Sequence, residues 1–168
     1  IRIFALAMHS VRLRRLWKAA QPARVSANVL AALQTVRGGS VRICTTAQLD
    51  RPSVIGFLAP RVLIPEWLIG RLTAGELEQI VQHEAEHLRR FDDWTNLLQK
   101  ISLVLFPLNP ALAWMEHRLC REREMACDEG VVRITNAPRA YAAGLASLAE
   151  QGLERKAEAL SLGACRNR

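Results

Sequence analysis

The sequence predicts an α+β domain, mostly helical, with a small antiparallel β-hairpin or sheet placed before one central helix. Three observations lead there. Helical periodicity fills the stretches before residue 38 and after residue 73. Three short β-rich runs, 41–44, 54–57 and 61–64, lie between them and are separated by Pro and Gly. Half of the 168 residues are hydrophobic, ample for one core, and no internal repeat or low-complexity tract interrupts them.

Taken in order, residues 11–37 read as helix, broken near Pro22 and ended by the glycine pair at 38–39. The opening run Ile1-Arg2-Ile3-Phe4-Ala5-Leu6-Ala7-Met8 is too short to span a bilayer and lacks a signal-peptide layout. Arg12, Arg14, Arg15 and Lys18 follow it, as expected of a cytoplasmic flank. Residues 1–40 are therefore expected to be an N-terminal helical segment at the cytoplasmic end of a membrane helix, in a longer, multi-spanning protein; an ordinary amphipathic helix is the alternative. Residues 41–160 form the main domain and 161–168 a tail. Pro65-Glu66-Trp67-Leu68 looks like a short helix, and Thr73-Ala74-Gly75-Glu76 has capping-box spacing, which starts a helix ending near Arg90. Asp92 opens another through Phe106, stopped by Pro107 and Pro110. From Leu97 to Met115 Lys100 is the only charge before Glu116; two prolines argue against one spanning helix, and a hydrophobic turn packed on the core or dipping into a membrane interface fits better. Helices from about Ala111 to Asn136 and from Pro138 to about Leu160 complete the chain.

The net charge of +7 raises nucleic acid as a partner. The basic residues are dispersed, however, with one Tyr and no helix-turn-helix pattern, so no direct nucleic-acid contact is expected. The densest basic cluster, Arg12 to Lys18, adjoins the apolar start and suits an anionic membrane surface. Cys44, Cys120, Cys127 and Cys165 show no Cys-x-x-Cys pairing, which is simplest as reduced thiols in a cytosolic compartment.

Chemistry concentrates in Gln82-His83-Glu84-Ala85-Glu86-His87. On a helix, His83 and His87 at i and i+4 share a face and can point at one ion, while Glu84 can take a proton from a water beside it. At about 100° per residue, Leu77, Ile80, Val81 and Leu88 form the apolar stripe, Glu84 falls inside it, and both histidines lie along its edge. Gln82, Glu86, Arg89 and Arg90 point the other way, so Glu86 is expected to be solvated. An inward carboxylate and two imidazoles need compensation, which a cation supplies; core histidines with a Glu held by an arginine are the bland alternative. A third ligand is sought downstream, where Glu124 and Asp128 fall on one face of a helix and Glu122 and Glu129 on the opposite one. One carboxylate is placed to bind a metal and the other to orient a ligand imidazole. His117, two turns earlier on that face, competes as third ligand. Asp92 and Asp93 follow closely enough to cap the next helix or brace the site, and Cys127 reads as packing.

His83-Glu84-x-x-His87, then Arg89-Arg90-Phe91-Asp92, the Phe106-Pro107-Leu108-Asn109-Pro110 break, Glu124-x-x-Cys127-Asp128, and the upstream Pro52-Ser53-Val54-Ile55-Gly56-Phe57 run together resemble the membrane-embedded zinc peptidases of the BlaR/MecR antirepressor family. The resemblance covers roughly residues 41–148. It implies a zincin-like metallopeptidase domain of gluzincin type. Zn2+ would sit on His83, His87 and Glu124, with Glu84 as general base and Asp128 orienting a ligand. It further implies an integral-membrane signal transducer with its catalytic domain on the cytoplasmic side, in a setting like β-lactam resistance, cutting a transcriptional repressor or itself. Phe106-Pro107 departs from the aromatic pair many relatives have there, which affects packing rather than chemistry. Substrate is expected to lie extended along the 54–64 hairpin. Two other classes compete. An HtpX-like membrane quality-control protease shares the two histidines and the Glu-x-x-x-Asp, but the Pro-x-Asn-Pro break and the hairpin favour the first. A non-catalytic membrane or nucleic-acid binding module has no use for Glu84.

Overall fold

The computed structural model describes residues 2–23, 25, 27–34 and 36–166, and it divides into two compact units, Ile1–Val131 and Val132–Arg168. The first unit opens with α1 (Arg2–Ala19), β1 (Gln21–Pro22) and α2 (Ala27–Gln34), followed by a 3-10 turn at Arg37–Gly39. Helix thus begins before residue 11. The break expected near Pro22 is a short edge strand, antiparallel to β2 (Arg42–Thr46), with Pro22 opposite Cys44. Proline is tolerated at an edge because no neighbour there needs its missing donor.

Two further strands, β3 (Ser53–Ile55) and β4 (Arg61–Pro65), complete a sheet of order β1-β2-β4-β3. β3 and β4 form the antiparallel pair expected of a hairpin, with Ser53 opposite Leu63. β2, however, runs parallel to β4, so the sheet is mixed rather than antiparallel throughout. Val62, Leu63 and Ile64 of central β4 are fully buried, which accounts for the unbroken apolar run of that strand. Leu16, Cys44, Ile55 and Leu63 form a core cluster, with Trp17 packed against it. Gly56 turns the β3–β4 connection at φ 94°, and a Cβ there would stand 2.6 Å from the Trp17 ring. Only glycine permits both that φ and that approach.

The central helix α3 (Ala74–Arg89) starts as expected: Glu76 N donates to Thr73 Oγ1 at 3.3 Å, and Thr73 N donates to Glu76 Oε2 at 2.8 Å. The prediction for its far side needs correction. Glu86 is only 6% exposed and Gln82 only 8%. α2, α4 (Asp92–Leu105) and β3 all pack on α3, and α5 (Pro110–Thr135) approaches so closely at Gly130 that a Cβ there would lie 2.8 Å from Glu86 Cγ. Glu86 keeps its charge partnered by Arg89. A helix covered on several sides has no solvent face for an angular count to find.

Asn109 caps α5: its Oδ1 accepts from Ala111 N at 3.0 Å, and Pro110 fills the first helical position, where no donor is needed. In the second unit, Asn136 ends α5 in the left-handed region (φ 50°), its N donating to Val132 O, and Pro138 starts α6 (Pro138–Arg166). α6 continues past residue 160, where the sequence marked a tail. Among the described residues no helix is long and apolar enough to cross a membrane. Ile1, the side chains of residues 2–7 and the terminal Asn167 and Arg168 lie outside the described residues, and the expected membrane end falls largely on them.

Candidate metal centre

Helical spacing on α3 stacks His83 and His87 one turn apart, and their rings meet edge to face with centroids 4.9 Å apart. Helix α5 brings Glu124 opposite them. Its Oε2 lies 3.6 Å from His83 Nε2 and its Oε1 3.8 Å from His87 Nε2. One donor atom each from His83, His87 and Glu124 lie within 4.8 Å of one another.

The remaining imidazole nitrogens face carboxylates. His83 Nδ1 is 3.0 Å from Asp128 Oδ1, and His87 Nδ1 is 2.9 Å from Asp92 Oδ2. With the protons on Nδ1 donated to those carboxylates, both Nε2 lone pairs are left facing Glu124. Each imidazole therefore has its own orienting carboxylate. Glu124 and Asp128 sit one turn apart on α5 and engage His83 together, matching the i, i+4 spacing of the histidines.

Electrostatics point the same way. Burial pushes the Glu84 carboxyl up to about 7; the nearby His87 pulls it down and Glu124 adds to the rise. Burial and the neighbouring His87 lower the His83 pKa, against the pull of Asp128 and Glu124. Burial thus favours the neutral forms of Glu84 and His83, and two imidazole Nε2 atoms with one carboxylate are the set a divalent metal prefers. The residues fit a metal ion.

Asp92 is the most heavily partnered carboxylate here. Besides His87 it meets Arg90 Nε at 3.5 Å and Arg123 Nε at 3.8 Å, and Cys127 Sγ lies 3.7 Å away. It does not cap α4, whose N-cap is Phe91 in the left-handed region. It braces the site. Cys127 Sγ is 3.2 Å from His87 Nδ1, and burial, then Asp92, push its thiol up to about 12, so it packs there as a neutral group. His87, Asp92 and Cys127 form a second close group, but it uses the nitrogen that Asp92 already holds.

His117 is exposed on α5 and belongs to neither of the close groups found among the described residues. Sequence periodicity missed two contributors. Arg37 donates to Asp93 Oδ1 at 2.6 Å, to Phe57 O at 2.9 Å and to Leu88 O at 3.3 Å, tying the β3–β4 connection to the α3–α4 corner. Arg123 donates to Gln99 Oε1 at 2.9 Å while facing Asp92. Both partnerships join residues far apart in the chain, and no local pattern announces them. A cleft of about 290 Å³ opens over the site, lined by Pro52, Ser53 and Val54 on one side and by His83, Glu84, His87, Asn96, Arg123 and Glu124 on the others.

The family model described as "BlaR1 peptidase M56" matches residues 1–163. The chain belongs to that family. Relatives include the "methicillin resistance mecR1 protein" of Staphylococcus aureus, strain Mu50 among its sources, and of Staphylococcus epidermidis. Each is 27% identical over 96 residues, which is 57% of this chain and 16% of the relative. Membership in this peptidase family accords with the BlaR/MecR resemblance carried by His83-Glu84-x-x-His87 and Glu124-x-x-Cys127-Asp128, and it makes the α3–α5 cleft the place to seek peptidase chemistry.

Proposed function

We propose that this chain is the catalytic domain of a zinc-dependent endopeptidase, held at a membrane with its cleft on the cytoplasmic side, in a signal transducer that cuts a repressor protein or itself. One observation carries the chemistry: two imidazoles, each oriented through Nδ1 by its own carboxylate, turn Nε2 toward Glu124 beside a buried Glu84. His83, His87 and Glu124 would hold the metal. Zinc bound there would acidify a water and polarise the scissile carbonyl.

The chain's own residues do the rest. Glu84, with its pKa raised to about 7, takes a proton from water in the cleft and hands it to the leaving amine, a task best matched by a group titrating near neutrality. β3 is an edge strand of the sheet, and its Ser53 and Val54 line the cleft, so an extended peptide adds there by backbone hydrogen bonds. The membrane setting rests on the apolar opening run followed by Arg12, Arg14, Arg15 and Lys18. The repressor rests on the antirepressor resemblance and on relatives named for methicillin resistance.

Metal content and cleavage test this together. The purified chain should carry about one zinc. Glu84→Gln should keep the zinc and lose cleavage of a repressor encoded beside its gene by at least about a hundredfold, as expected on loss of a general base. Equal cleavage by both proteins would overturn the catalytic assignment, and a zinc-free wild type would overturn the metal.

A further inference from the structure

A peptide that adds to a sheet edge has two edges of its own. In an extended strand, successive residues turn their N–H and C=O groups to opposite sides. A segment paired with β3 therefore leaves every second residue facing away from the sheet. Those outward groups lose water as the cleft fills, and each then needs a new partner. The far wall of the cleft has to supply it.

That wall comes from α3, the start of α4 and α5, and its polar side chains are mostly engaged already. His83, His87 and Glu124 form the candidate metal group, and Glu84 is buried beside them. Asp92 lies 2.9 Å from His87 Nδ1, and Arg123 donates to Gln99 Oε1 at 2.9 Å. Asp93 accepts from Arg37 at 2.6 Å. On the strand side, Ser53 Oγ donates to Pro52 O at 2.6 Å. Asn96 differs from all of these. It lines the same cleft, it is exposed, and its side-chain amide has no hydrogen-bond partner among the described residues. A carboxamide offers what a peptide edge needs, an accepting oxygen and a donating NH2 group.

The backbone that carries Asn96 is fixed from two sides. Asn96 lies one turn after Asp92 on α4, so it shares the face that holds His87. Both Nη atoms of Arg37 donate to Asp93, and Nη1 also donates at 2.9 Å to Phe57 O, just past the end of β3. The Phe57 and Trp94 rings meet with centroids 5.2 Å apart. The strand wall and the α4 wall are thus braced against each other, which sets the width of the cleft before substrate arrives.

We propose that Asn96 is a substrate-binding residue, whose amide accepts from the N–H and donates to the C=O of one outward-facing residue in an extended peptide paired with β3. The contact reads backbone rather than side chain, and it disfavours proline at that residue, which has no N–H to give. It rests on the peptidase function proposed above.

Cleavage of the repressor encoded beside the gene, and of a synthetic peptide spanning the bond that wild type cuts, tests the contact. Asn96→Ala should raise KM about tenfold with kcat nearly unchanged, as expected when two neutral hydrogen bonds made equally in the ground and transition states are lost. Asn96→Gln keeps both groups and should recover part of the loss. Zinc content and the urea midpoint should match wild type, because the side chain has no partner to lose. Methylating the peptide's amide nitrogens one at a time makes the decisive comparison. At one position methylation should weaken cleavage by wild type far more than by Asn96→Ala. Equal KM for wild type and Asn96→Ala, or methylation losses that match in both proteins at every position, overturn the contact and leave the function standing. A fall in kcat with KM unchanged also overturns it, by moving Asn96 to the reacting carbonyl. A wild type that cuts neither repressor nor peptide overturns the function and the contact together.

Discussion

The cleft over α3 and the tip of the α4–α5 hairpin invert the usual partition of side chains in opposite ways. In the cleft, Glu84 is buried and His83 and His87 are largely enclosed; at the tip, Leu98, Leu105 and Leu108 stand in solvent. Burying titratable groups costs free energy unless hydrogen bonds or a counter-charge offset it, whereas exposing apolar groups costs by area. The cleft answers with a lattice of carboxylates around two imidazoles. The tip has no internal answer. Polar groups placed against their preference are organised from within, and the apolar ones are left in water.

The largest effect should come from breaking the cleft at its third corner. Glu124→Ala removes the carboxylate that, among the described residues, faces both Nε2 atoms, and zinc affinity measured by competition with a chelator should fall by more than the roughly 10–100-fold typical of an orienting carboxylate. His117→Ala, at an exposed position outside the group, should leave it unchanged. The reverse result would make His117 the ligand.

Loss of orientation should be milder. Asp92→Asn keeps size and polarity but weakens the hold on His87 Nδ1, and zinc affinity should drop about 10–100-fold. An unaltered affinity would reduce Asp92 to an anchor for Arg90 and Arg123.

The smallest effect probes Glu86, which is buried on α3 but belongs to neither close metal-binding group among the described residues. Glu86→Gln should lower unfolding stability by about 1 kcal/mol, because a buried charge-assisted contact to Arg89 is weakened, while zinc content stays at one per chain. Unchanged urea midpoints would mean that Glu86 behaves as the solvated residue its helical position predicts.

What the sequence determined by itself is local. Thr73 to Glu76 dictates where α3 starts, Asn109-Pro110 starts α5, and His83, Glu84 and His87 share a face because 3.6 residues make a turn. The angular count also set Glu124 and Asp128 together, since that relation too lies within one helix. Tertiary structure decided everything that needs two distant segments at once. Glu124 rather than His117 stands across from the histidines because of where α5 crosses α3. Asp92 holds His87 because α4 turns back at Phe91, and Arg37 meets Asp93 across 56 residues of chain. Gln82 and Glu86 are buried because a second layer covers a face that periodicity assigns to water, and β2 runs parallel to β4 because β3 occupies the far edge. Periodicity reports how a helix is divided, but only its neighbours determine which divisions face solvent.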